Sequence, residues 1–299
     1  MTDAEYLNAV LRAQIFPPNA PELAAIEHHK DAVTALLHAR FADARPTIRR
    51  GGSLAKGTMI RASYDLDLTC YFGADEDGAG ATLKEIFHNV ELALREDYWT
   101  EAKTSAIRLR SREITGAGPD FHIDVVPSRF FDSTETDVWL YQNIHDRERL
   151  KTNLDTHIAH VRKSGVTDAI RLMKLWRVSY HVDVRNFALE LMTIDLLKGR
   201  KAVTLPVQIR AVLESLRYDA MDLVVEDPAN PTGNDLSSIL TEGTRRALQL
   251  QAHSTLVQID SAGWESVFGA VAQEDRAASL ARAAAAVPAA GQNRPWVRD

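Results

Sequence analysis

Residues 64–72, Tyr-Asp-Leu-Asp-Leu-Thr-Cys-Tyr-Phe, begin by alternating apolar and acidic side chains. That alternation is the period of a strand with one buried face. Residues two apart on a strand share a face, so Asp65 and Asp67 stand side by side while Tyr64, Leu66 and Leu68 turn to the core. Two carboxylates that close repel unless a cation lies between them. Hard oxygen ligands suit Mg²⁺. The same pattern also fits the solvated face of an edge strand. A second stretch, Phe121 to Val126, buries Phe121, Ile123 and Val125 and turns Asp124 the other way. His122 shares the face of Asp124 and reads as a flank rather than a ligand. Where two such strands are neighbours, three carboxylates meet, and that grouping can hold two metals for phosphoryl or nucleotidyl transfer.

Ahead of the acidic strand lies Gly51-Gly52-Ser53-Leu54-Ala55-Lys56-Gly57-Thr58. Glycines let a backbone approach a bulky anion, and a serine hydroxyl with free N–H groups can bond phosphate oxygens. A helix starting at Ser53 adds its positive end. The spacing is not that of a GxxxxGK[ST] P-loop, because Lys56 precedes Gly57. Read alone, the segment is more commonly just a turn before a helix.

The rest of the chain sets these motifs in order. Residues 1–45 read as helical, broken at Pro17-Pro18, with Glu22 to Phe41 as the longer segment. Thr82 to Asp97 reads as an amphipathic helix, and Ser105 to Thr115 as a strand turning through GAGPD into Phe121 to Val126. From Thr152 the signals are helical: a helix from Thr167-Asp168, one over Phe187 to Lys198 stopped by Gly199, and others over Pro206 to Arg217 and Asn234 to Ala252. Ala283 to Ala290 reads as a fraying helix before a loose tail. The chain is thus a small α/β domain followed by a helical domain, with a cleft between them expected to hold a ligand.

Composition narrows the function classes. The 299 residues, 45% apolar and 25% charged, exclude collagen-like, disordered and disulfide-scaffold chains. A single cysteine, Cys70, makes no internal disulfide and no cysteine-based zinc site, which points to the cytoplasm. The N-terminal segment reads as no secretory signal, and no stretch reaches the ~18 apolar residues of a membrane span. The net charge of −6 argues against a grip on long nucleic acid, yet allows a local basic pocket for a triphosphate.

The order GGSLAKGT, DLD, then a lone Asp in an apolar strand resembles the DNA polymerase β-like nucleotidyltransferase superfamily. Arg171-Leu-Met-Lys174-Leu-Trp-Arg177 looks like the helix carrying a triphosphate-contacting lysine in cyclic GMP–AMP synthases, 2′-5′-oligoadenylate synthetases and bacterial CD-NTases. Asn186-Phe187-Ala-Leu-Glu-Leu191 resembles their Ser-Tyr-Ala-Leu-Glu-Leu stretch, and Asp227-Pro-Ala-Asn-Pro-Thr-Gly-Asn234 their DP-x-DPT-x-N loop. The resemblance spans Gly51 to Asn234, and the chain looks most like a bacterial CD-NTase. It implies an α+β fold: a polymerase β-like mixed sheet with flanking helices over residues 1–145, a helical bundle over 146–285, and a tail over 286–299. It departs in Asn186 for Ser, Phe187 for Tyr, and Asn230 for the loop's second Asp. An amide still donates. A phenyl ring still stacks on a base, although the phenol contact is lost.

The resemblance implies that Asp65, Asp67 and Asp124 are catalytic and hold two Mg²⁺ ions, with Mn²⁺ as an alternative. It implies nucleotide contacts from Gly52, Ser53, Lys56, Thr58, Lys174, Asn186, Phe187 and Asp227. Read from its helix, Lys174 buries its stem and directs its ammonium to an opening, or is a snorkelling surface lysine. The expected activity joins ATP, alone or with a second NTP, into a cyclic di- or trinucleotide messenger of anti-phage signalling, under the control of a regulatory partner protein. Two other readings remain. One is a tRNA 3′-end or toxin-type adenylyltransferase, which requires a continuous basic track. The other is a nucleotide-binding regulator without catalysis, against which all three acidic positions are occupied.

Overall fold

The computed structural model describes residues 1–110, 121–144, 147–231 and 236–271. Residues 111–115 of the strand expected over Ser105 to Thr115, its GAGPD turn, Thr232 to Asp235 and the alanine-rich tail lie outside them. Contacts divide the chain into two units. One contains residues 17–55 and 65–155, the other residues 1–16, 56–64 and 156–273.

The first unit is built on a mixed sheet with strands β1 (Thr47–Arg50), β2 (Leu66–Phe72), β3 (Trp99–Ala102), β4 (Ile107–Arg110), β5 (Ile123–Phe130), β6 (Val138–Ile144) and β7 (Arg147–Thr152). The order runs β1-β2-β5-β4-β3, with β6 also pairing β5 and then β7. Only β2 and β5 among the described strands pair in parallel; the other ladders are antiparallel. β5 serves two partners in turn: residues 123–125 pair with β4, and residues 128–130 with β6.

The alternation read from the sequence becomes the burial pattern. Leu66, Leu68, Ile123 and Val125 are at most 1% exposed, whereas Asp65, Asp67, His122 and Asp124 are half-buried. Helices α2 (Pro21–Arg40) and α4 (Leu83–Arg95) belong to this unit. α4 starts in a capping box: Thr82 accepts from the Glu85 N–H and the Glu85 carboxylate accepts from the Thr82 N–H. The pattern predicted this helix to within two residues.

The second unit gathers α1 (Asp3–Gln14), α5 (Leu154–Arg162), which starts at its boundary, α6 (Thr167–Ser179), α7 (Asn186–Leu196), α8 (Leu205–Asp219), α9 (Glu242–Ala262) and α10 (Glu265–Phe268). Tyr6, Leu7, Val10 and Leu11 of α1 join the apolar cluster of α6 to α9, which is why this N-terminal helix belongs with the helical unit. Trp176, fully buried, donates its indole N–H to Thr255 at 2.9 Å. The helix expected over Asn234 to Ala252 is two elements: a 3₁₀ turn, Leu236–Ile239, and α9, which Thr241 caps by accepting from the Thr244 N–H. α9 runs to Gly263, whose φ of +74° is open to glycine at little cost. A short helix, α3 (Gly52–Lys56), starts one residue earlier than expected. No helix among the described residues is long and apolar enough to cross a membrane.

Candidate active site

The parallel ladder of β2 and β5 sets Asp67 opposite Asp124. Neighbouring residues in register share a sheet face, so the two acidic positions come together as a direct result of pairing. Asp65 precedes the first residue of β2, and the Leu66 N–H donates to the His122 carbonyl at 3.1 Å. One ligating atom each from Asp65, His122 and Asp124 lies within 4.8 Å of the others. His122 Nε2 stands 3.6 Å from Asp65 Oδ2 and 3.8 Å from Asp124 Oδ2. The imidazole read as a flank is therefore inside the cluster.

Asp67 has a different neighbour. A Cβ built on Gly52 would fall 1.5 Å from Asp67 Oδ2, so this carboxylate lies against the bare backbone of the glycine turn. Gly52 has φ +57°, in the left-handed region. Both the conformation and the close approach require glycine here. The Gly51 N–H donates to the Asp67 carbonyl at 2.9 Å, which fastens the turn to the strand. Ser53 is half-buried at the second position of α3.

Arg108, on β4, is not among the expected site residues. It grips Asp124 with two bonds, Nε to Oδ1 at 2.9 Å and Nη2 to Oδ2 at 2.8 Å. This fork is the strong form of a carboxylate ion pair. The bonded Asp124 raises the guanidinium pKa further above its ordinary value. The available signal was the alternation Ile-Arg-Leu-Arg over 107–110, which puts Arg108 on a polar face without saying which strand it meets. The donor set fits a hard divalent cation: the half-buried carboxylates of Asp65 and Asp124 with the His122 imidazole, and Asp67 in register with Asp124 but outside that group.

Six of the expected nucleotide contacts belong to the helical unit: Lys56, Thr58, Lys174, Asn186, Phe187 and Asp227. Lys174 is 1% exposed, and its ammonium donates to the Thr58 carbonyl at 3.0 Å rather than pointing to an opening. Lys56 pairs with Glu190 at 2.9 Å and sits over the Phe187 ring at 4.3 Å from its centre. The Thr58 hydroxyl donates to the other oxygen of Glu190 at 2.6 Å. The Phe187 ring also meets His157, with centres 4.7 Å apart. His157 Nε2 lies 2.6 Å from Asp227 Oδ1, which also accepts from the Ala229 N–H at 2.9 Å. Asp227 thus closes its own turn and holds an imidazole. Asn186 opens α7, and its amide oxygen is buried without a hydrogen bond.

Glu190 and His157 were also missed. Glu190 was visible as the lone acid within Phe-Ala-Leu-Glu-Leu-Met, an apolar helical run where a carboxylate needs a partner.

No protein-family model matches the chain, and no curated protein matches it. Solved structures do. CdnC of E. coli MS115-1, solved in complex with HORMA-deltaN, shares 17% identity at a TM-score of 0.66, covering 91% of this chain and 98% of that one. The CD-NTase CdnG of Bradyrhizobium diazoefficiens, in complex with GTP, shares 16% at 0.67, covering 96% and 98%. The Vibrio cholerae cyclic AMP-GMP synthase DncV shares 17% at 0.58, covering 89% and 85%. The α+β organisation, the parallel acidic strands and these matches along nearly the whole chain agree: the protein has the CD-NTase fold.

Proposed function

We propose that the chain is a nucleotidyltransferase that joins ATP, alone or with a second NTP, into a cyclic di- or trinucleotide, the messenger of a bacterial anti-phage system. The observation that carries this reading is the meeting of Asp65, Asp124 and His122, with Asp67 in register beside Asp124, in a CD-NTase fold. CdnC solved with ATP and CdnG solved with GTP support a nucleoside triphosphate substrate. The CdnC complex with HORMA-deltaN supports a regulatory protein partner.

In the reaction a ribose hydroxyl attacks an α-phosphorus in line, the P–O bond to the β-phosphate breaks, and pyrophosphate leaves. Asp65, Asp67 and Asp124 would hold two Mg²⁺ ions. Bound there, Mg²⁺ supplies charge neutralisation at the attacking and leaving oxygens. Asp124 takes the hydroxyl proton, and Arg108 keeps that carboxylate oriented through its two bonds. Ser53 and the amides around Gly52 bind phosphate oxygens, where the glycine leaves the backbone uncovered. The ring of Phe187 offers a base a stacking surface.

Replacing Asp65 and Asp67 together by Ala is expected to cut pyrophosphate release by about 10³-fold or more, with an unchanged unfolding midpoint. Full turnover in that variant rejects the mechanism. Labelled ATP, alone or with a second NTP, should yield a phosphatase-resistant product without added RNA. A product that forms only with RNA or an acceptor protein selects the adenylyltransferase reading instead.

A further inference from the structure

We infer that Glu190 is the positioning residue for the nucleotide-binding groups of the helical unit. The inference rests on the function proposed above and adds to it a residue with its own role. Glu190 lies on α7 three residues after Phe187 and four after Asn186, so the three share one side of the helix. Its Oε2 accepts from Lys56 Nζ at 2.9 Å, and its Oε1 accepts from the Thr58 hydroxyl at 2.6 Å. Lys174 Nζ stands 3.9 Å from the same Oε1 and donates to the Thr58 carbonyl. One carboxylate, 1% exposed, therefore gathers three of the six expected contacts of this unit, and Lys56 carries the link on to the Phe187 ring.

Packing alone does not call for this arrangement. A buried ion pair is often replaceable by apolar residues of equal volume without loss of stability, so its carboxylate is a poor choice for stability alone. What it supplies is order. Lysine has a long, mobile stem, and an ammonium already fixed in place loses little freedom when an anion arrives. Thr58 and Lys56 flank Gly57 at the end of the glycine-serine motif, and both bind the same acid. Lys-Gly-Thr thus acts as a clasp on Glu190. Its two side chains serve the phosphates by holding a shape, through the acid that binds them.

The test uses the full chain and inorganic tripolyphosphate as the probe. Glu190→Gln keeps the volume and an acceptor oxygen while removing the charge. It is expected to weaken tripolyphosphate binding in calorimetry, and to raise the KM for ATP, each by about tenfold, with kcat within about twofold. Lys56→Met should show the same loss, and the double variant no more than either alone, as befits groups acting as one unit. Thr58→Val, which removes only one arm of the clasp, should move binding in the same direction by a smaller factor and decides the matter should Glu190→Gln fail to fold. Binding in Glu190→Gln as tight as in the parent, or losses that add in the double variant, overturn the inference. Pyrophosphate release by the parent reports separately on the proposed function. A parent that releases pyrophosphate, with KM unmoved in Glu190→Gln, rejects the role of Glu190 alone. A parent that neither binds tripolyphosphate nor releases pyrophosphate rejects both.

Discussion

Gly52 has no room for even one added carbon. A methyl there would collide with Asp67 and would have to adopt a left-handed backbone as well. The Gly52→Ala protein must therefore move Asp67, and its pyrophosphate release should fall by more than about tenfold, while the backbone strain costs only about 1–2 kcal/mol of stability. A steady-state assay beside a urea titration separates the two effects; an active Gly52→Ala enzyme would show that Asp67 need not lie where it does. The acids themselves were legible in the sequence because each sits in a local alternation that fixes its face. Arg108 and Glu190 were not, because their partners are brought to them by pairings 16 and 132 to 134 residues away along the chain. Lys174 shows the limit from the other side. Its helix predicted a buried stem correctly, but where an ammonium ends depends on acceptors, here the Thr58 carbonyl, that no local pattern reveals.

The elements follow the same division between local and distant causes. α4 carries its own start signal in Thr82 and Glu85 and a strong apolar stripe, so its bounds were readable. Strands β1, β3, β6 and β7 were not singled out. Two of them have only four residues, too few for a period, and β6 and β7 form a hairpin whose register shifts between Tyr141 and Ile144. The helix expected from Asn234 failed at its start because the true cap is Thr241, seven residues on. Thr241→Ala is expected to lower stability by about 1 kcal/mol, read as a fall in the urea midpoint at constant slope. An unchanged midpoint would show that packing alone sets where α9 begins.

For the molecule as a whole, acid should be a greater threat than the net charge of −6 implies. His29 lies buried on α2 against Phe121, and burial, helped by neighbouring His28, lowers its pKa to about 4. The unfolded chain then takes up the proton first, near pH 6.5. Stability is complete above that pH and is lost as pH falls toward 4, by up to about 1.4 kcal/mol per pH unit. His29→Gln should flatten this slope in denaturant titrations between pH 7 and pH 4.5; an equal slope in both proteins would assign the loss to other groups. The sheet imposes one more condition on the proposed reaction. β2 lies between β1 and β5, and β5 between β2 and the pair β4 and β6, so neither acid-bearing strand is an edge. Their amides should be among the last to exchange with deuterium. Any opening and closing that the proposed reaction requires must then come from loops and helices around a floor that stays still.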